Sequence, residues 1–166
     1  MRFNEHRKFN ELEKVDLSKA VDAEILHPSL KGLKWITHYY PNNPKEEIDE
    51  LKKIIEIINL DRSNKALITE YQILAPILKI YDYSPNQWHH PSVSFPLRKQ
   101  KYYEIYKEYF VKSLKKNNIE NIYEVSNSSS NILQLVIDKK CFSVERLTNI
   151  LIKYNLKKEC NDFKSN

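Results

Sequence analysis

KALITEYQILAPILKIYDYSPNQWHHPSVSFPLR, residues 65–98, is the stretch whose reading decides the fold. Ala66-Leu67-Ile68 reads as a buried strand, and it ends in the polar run Thr69-Glu70-Tyr71-Gln72. A short apolar helix pattern follows over 71–80, started or interrupted at Pro76. Residues 82–97 are loop, with three of the chain's seven prolines, Trp88 and the pair His89-His90. A hydrophobic strand with a polar end and an aromatic loop is how an α/β domain builds a crevice at the carboxyl edge of its sheet.

Outward from this stretch the pattern alternates. Upstream, GLKWITH (32–38) reads as a first buried strand. Asn43-Pro44-Lys45-Glu46-Glu47 opens a helix: Asn suits the N-cap, Pro the first helical position, and the acids favour the positive end of the dipole. Ile48, Leu51, Ile55 and Ile58 give that helix one apolar face. Asp61-Arg62-Ser63-Asn64 is a turn. Downstream, residues 98–116 read as a long helix with Tyr102/Tyr103, Tyr106, Tyr109/Phe110 and Leu114 on a shared inward face. Ile119–Val125 is a third strand, Ser126–Ser130 a turn, and 131–138 a helix or a strand. Ser143 caps a last helix through about Tyr154, and a short strand near Leu156–Cys160 closes the chain. Strands separated by helices predict a three-layer, Rossmann-like α/β domain: a mainly parallel sheet of about four strands with helices on both faces. Residues 1–30 form a polar lead-in and 31–166 the single domain.

Composition narrows the function. The chain has 166 residues, 41% hydrophobic and 30% charged, with formal net charge +5. Mean hydropathy is -0.64. No apolar run approaches the ~18 residues of a membrane span. The N-terminus, MRFNEHRKFNELEK, lacks the apolar core of a signal peptide. Gly32 is the only glycine, which excludes a dinucleotide-binding G-x-G-x-x-G turn and a phosphate-cradling P-loop. Turns must use Asn, Asp, Ser and Pro instead. Cys141 and Cys160 are too few for a disulfide scaffold or a four-cysteine zinc site. They read as two free thiols in a reducing compartment and as one bridge in an oxidising one.

Several segments in order resemble a known family: RKFNELEKVD (7–16), GLKWIT (32–37), LITEYQ (67–72), YSPNQWHHPSVSFP (83–96) and the cysteine-bounded tail 141–160. They are similar to the soluble C-terminal domain of bacterial multi-pass membrane glycosyltransferases, akin to dolichyl-phosphate-mannose–protein mannosyltransferases. The resemblance covers nearly the whole chain but contains no catalytic signature. It implies a non-catalytic accessory domain or detached tail, with no cofactor. Its partners would be the membrane-embedded glycosyltransferase portion or a polyprenyl-linked sugar donor or acceptor. No family catalytic residue transfers to any position, since the membrane portion carries the catalytic acid. Glu70 stands where the family often has Asp. Attached to its membrane portion, the domain would lie on the extracytoplasmic side, where a Cys141–Cys160 bridge is reasonable; expressed alone it would stay in the cytoplasm.

Each candidate ligand residue carries two readings. Thr69, Glu70, Tyr71 and Gln72 can contact sugar hydroxyls at the sheet edge, or tie down the loop that follows. Tyr83 and Trp88, with Tyr81, can stack on a sugar or pin the loop to the core. His89 and His90 titrate near neutrality and suit acid–base work. Their adjacency and the lack of H-x-x-x-H spacing argue against a metal site. Arg98, Lys99, Lys101, Lys107, Lys112, Lys115 and Lys116 interleave with tyrosines, as in a strand-tracking nucleic-acid module or a helix facing an anionic leaflet. The same pattern is also an amphipathic helix with solvated lysines. Glu104 and Glu108 interrupt the positive stripe and make nucleic acid the weaker partner. Two alternatives thus stand beside the accessory domain: a basic nucleic-acid-binding module, and a small soluble enzyme using Glu70 with His89 or His90.

Overall fold

The structure is a computed structural model that describes residues 16–36, 43–80, 86, 94–126, 132–157 and 159–160. The chain divides into two units, residues 1–56 and 57–166, and the division falls within a helix.

In the first unit, β1 (Val21–Asp22) pairs antiparallel with β2 (Lys34–Trp35). 3-10 turns at Ala23–Ile25 and Pro28–Leu30 lie between them. Gly32 has φ 83°, a left-handed conformation that strains any other side chain, so the single glycine stands where one is required. The buried strand expected over 32–38 is corrected here. Only Lys34–Trp35 form a strand, it is exposed to half-buried, and Leu33 is exposed. Its partner strand is equally short, so the ladder cannot extend. Residues 37 and 38 lie outside the described residues.

α1 (Pro44–Leu60) starts as its sequence predicts. The Asn43 side-chain oxygen accepts from the Lys45 amide at 3.2 Å, and its amide donates to Glu46 Oε1 at 2.7 Å. Glu47 does more than complement the dipole. It is buried, and Trp35 Nε1 donates to its Oε2 at 2.6 Å, which anchors β2 to the first turn of α1. Burying a carboxylate is tolerable only with such a donor.

The second unit holds β3 (Lys65–Thr69), α2 (Leu74–Leu78), α3 (Tyr103–Lys116), β4 (Asn121–Val125), α4 (Ile132–Val136), β5 (Phe142–Arg146) and β6 (Leu151–Leu156). The strand order is β3-β4-β6-β5. Only β3 and β4 run parallel; β4–β6 and β6–β5 are antiparallel. The mainly parallel, three-layer Rossmann-like sheet is therefore not what forms: this is a mixed sheet. The reason lies in residues 142–156. The expected helix from Ser143 to Tyr154 is a hairpin, and two strands joined by the short turn Leu147–Ile150 can only run antiparallel. Thr148 Oγ1 closes that turn by accepting from the amides of Ile150 and Leu151 at 3.3 and 3.2 Å. Alternation of Phe142 and Val144 with Ser143 and Glu145, and the Ile152 and Tyr154 of β6, suit a pleated surface. β6 ends at Leu156, and among the described residues from 157 to 160 no further strand follows.

Pairing register puts Ala66, Ile68, Ile122, Ile152, Tyr154 and Phe142 on one face. They form a continuous core with Phe110, Val111 and Leu114 of α3 and with Ile132, Leu133 and Val136 of α4. Asn118 ends α3 at φ 49°. Its amide donates to Lys115 O and the Ile119 amide to Leu114 O, both at 3.0 Å. This is the left-handed helix stop that usually takes glycine; asparagine supplies it here. Leu114 and Ile119 then meet in the core. Among the described residues, no helix is long and apolar enough to cross a membrane.

Candidate interaction surface

The strand end that the sequence singles out is held by its own hydrogen bonds. Thr69 is buried; its hydroxyl donates to Val125 O at 3.0 Å and accepts from the Tyr71 amide at 2.9 Å. One hydroxyl thus joins the ends of β3 and β4 and starts the turn into α2. Tyr71 is buried, Glu70 half-buried and Gln72 exposed; the Gln72 amide donates to Glu70 O at 3.1 Å. Tyr81, Tyr83, Trp88, His89 and His90 lie outside the described residues, and so does the proposed convergence of Glu70 with a histidine. Cys141 and Cys160 are bonded to each other, Cα–Cα 5.1 Å. Among the described residues, no three His, Cys, Asp or Glu side chains are grouped as metal ligands.

Two polar clusters go unread in the sequence. The first gathers on Asp61, at the turn between α1 and β3. Its Oδ2 accepts from the Tyr123 hydroxyl at 2.6 Å and the Asn121 amide at 2.9 Å, and pairs with Lys153 Nζ at 3.2 Å. Its Oδ1 accepts from the Ser63 amide at 2.8 Å. Lys153 also lies 5.6 Å from the centre of the Tyr123 ring, a cation–π distance. Burial pushes the Asp61 carboxyl up. Hydrogen bonds from Tyr123, from the Ser63 amide and hydroxyl, and from Asn121 together outweigh that and hold it well below the carboxylate range. Burial, then the Asp61 bond and charge, push the Tyr123 hydroxyl up. The cluster ties the α1–β3 turn to β4 and β6. Asp61→Ala is expected to cost about 2 kcal/mol, the worth of a charged hydrogen-bond hub at a half-wet site. The native carboxyl lies below its ordinary value of 3.8, so its stabilisation is full above that pH and is lost progressively as pH falls from there through the lower folded value. Urea melts across the acid range should show a flatter acid limb for Asp61→Asn; superimposable limbs would contradict the assignment.

The second cluster is inside the core. Glu124, in β4, is buried. Its carboxylate accepts from the Tyr154 hydroxyl at 2.7 Å and the Ile132 amide at 3.1 Å, capping the start of α4. Burial raises its pKa; Tyr154, the α4 amides and the Arg146 charge partly offset that. The far end of α4 is also satisfied: Tyr103 Oη donates to Leu135 O at 3.0 Å and Arg98 Nη2 to Gln134 O at 3.1 Å. A shallow cavity of about 280 Å³ beside these contacts is lined by Arg98, Tyr103, Glu104, Lys107, Val136 and Asp138. Its two cations face two anions, and its tyrosine and arginine are spent on the helix end.

The outer side of α3 is open to a partner, and there the expected tyrosine face is corrected. Tyr103, Phe110, Val111 and Leu114 point inward, while Tyr102 and Tyr109 point out. Tyr106 lies between the two sides. Its ring stacks on Phe95 at 5.8 Å, and its hydroxyl donates to Asn86 Oδ1 at 2.9 Å. Burial pushes that hydroxyl up. Asn86 in turn donates to Ser94 O, so α3 holds both described ends of the aromatic loop. Helical geometry explains the division: 103, 110 and 114 lie over the floor of Ala66 and Ile122, whereas 102, 105 and 109 lie on the opposite side.

No protein-family model matches the chain, and no curated protein or solved structure matches it either.

Proposed function

We infer that this chain is a non-catalytic accessory domain of a membrane glycosyltransferase system that uses polyprenyl-phosphate sugar donors. One observation carries the non-catalytic part. Thr69, Tyr123, Glu124 and Tyr154 of the sheet and Asp61 of the turn beside it, all buried or half-buried, are each committed to hydrogen bonds between elements, whereas the outer face of α3 carries exposed tyrosines, an isoleucine and lysines. A domain arranged this way works by contact. The sugar-transfer setting rests on the resemblance of the sequence segments alone. The mixed sheet removes the Rossmann-like body that the alternation of strands and helices predicted, so the setting is kept without that fold.

The test is calorimetric titration of the full chain with a polyprenyl-phosphate sugar, or with its membrane enzyme in detergent, alongside an assay for sugar release and transfer. Binding without transfer is the expected result. Transfer by the chain alone would overturn the non-catalytic reading, and silence toward both donor and enzyme would overturn the setting.

A further inference from the structure

We propose that the outer face of α3 docks the 57–166 unit on a lipid bilayer bearing anionic headgroups. This goes beyond the accessory-domain reading and stands without it. Tyr102, Ile105 and Tyr109 follow one another at i, i+3 and i+7, and are 61%, 67% and 61% exposed. Exposed Lys112 and Lys116 extend the same row at i+10 and i+14. Lys101 lies 5.2 Å over the Tyr102 ring, and Lys99 is exposed just before it. The row is therefore apolar in its first half and cationic in its second, with cations again at its start. Glu108 and Glu104 flank it on one side.

Its chemistry chooses the occupant. Tyrosine rings carry an apolar body and a polar tip, which suits the headgroup level of a bilayer. Ile105, between them, adds an aliphatic side chain for the acyl boundary. Lysines bury their stems and keep their charge at the lipid phosphates. A nucleic-acid strand fits less well. It needs a groove that follows the phosphates and flat platforms for its bases, whereas α3 is convex, its central apolar residue has no ring, and Glu104 and Glu108 interrupt the positive track. Charge complementarity thus points to a negative bilayer surface.

Co-sedimentation of the full chain with phosphatidylcholine vesicles, with and without phosphatidylglycerol, tests the proposal. Binding is expected only to the phosphatidylglycerol vesicles, and it should weaken as salt shortens the reach of the charges. Lys112→Gln with Lys116→Gln should lower affinity about 25-fold, two surface lysines at about fivefold each. Ile105→Ser should lower it about tenfold through lost apolar burial. All three positions are exposed, so unchanged circular dichroism and melting temperature certify the fold. Equal pelleting with both vesicle types, variants that bind like the parent, or capture of a generic oligonucleotide with no vesicle binding would each overturn the proposal. None of these results depends on whether the chain recognises polyprenyl-phosphate sugars.

Discussion

Glu124→Leu is expected to destabilise the protein by about 4 kcal/mol, the largest effect of any single substitution considered. The loss does not come from packing, since leucine fills a similar space. It comes from the donors left behind in the core: the Tyr154 hydroxyl and the Ile132 amide. A buried donor without an acceptor costs about 1–3 kcal/mol. In thermal melts the change should appear as a fall of about 8–16 °C for a chain of this size. Glu124→Gln keeps one acceptor oxygen and should cost about 1–2 kcal/mol. pH separates the two states of the native side chain. Burial raises the folded carboxyl above its ordinary value of 4.5, so folding favours the protonated acid. Its contribution is greatest below that pH and is eroded progressively as pH rises from there through the higher folded value. Glutamine resembles the protonated acid and does not titrate, so the gap between parent and Glu124→Gln should narrow from acid toward neutral pH. A Glu124→Leu variant as stable as the parent would mean that α4 is not held by this carboxylate.

Loss of the Cys141–Cys160 bond is expected to cost about 3 kcal/mol, the loop-closure entropy of a segment of this length. The two cysteines are 19 positions apart, and the closed loop contains both strands of the β5–β6 hairpin. Cys141 lies in the core and Cys160 packs against it. The Lys157 amide donates to Cys141 O at 2.9 Å, so the bond sits at the open end of the hairpin, beside the Phe142–Leu156 pair. Reductant should lower the melting temperature by about 6–12 °C. A Cys141→Ser/Cys160→Ser variant should melt near the reduced parent and ignore reductant. Thiol titration of the unfolded, non-reduced protein should find no free thiol; two would end the assignment.

The fold was partly legible, and the division follows the range of the forces involved. α1 could be read from Asn43-Pro44-Lys45-Glu46-Glu47 because capping acts within one turn. β3 and β4 were readable as apolar runs bounded by Asn, Asp and Ser, and the helical stop at Asn117-Asn118 was readable from residue type. The hairpin was not. Leu147, Ile150 and Leu151 have helical spacing over a window too short to decide between periods. They become a turn and a strand start because β4 offers an edge on which Ile122 pairs with Tyr154 and Val125 with Leu151. The tyrosines of α3 misled for a related reason: a phenol is at home inside or at the surface, so the pattern 102–103–106–109 has no unique inward side.

The polar sites show the same boundary. Asp61-Arg62-Ser63-Asn64 is recognisable as a turn, and the Ser63 amide does bond the Asp61 side chain within it. That Asn121, Tyr123 and Lys153 would converge on the same carboxylate depends on sheet register. Glu124 went unread; the signal that could have found it is an acid inside the apolar strand NIYEV, since such a residue calls for a buried partner. The partner's identity was not visible.

By itself, then, the sequence determined the start of α1 and the stop of α3, the two apolar strands that pair in parallel, the scarcity of glycine-dependent chemistry and the overall positive charge, all set by residue type or by neighbours a turn away. The tertiary structure alone decided the antiparallel half of the sheet, the pairing of the cysteines, the donors gathered on Asp61 and Glu124, and which residues of α3 face outward. Those contacts join positions far apart in the chain, and only the register of packed strands and helices brings them within bonding distance.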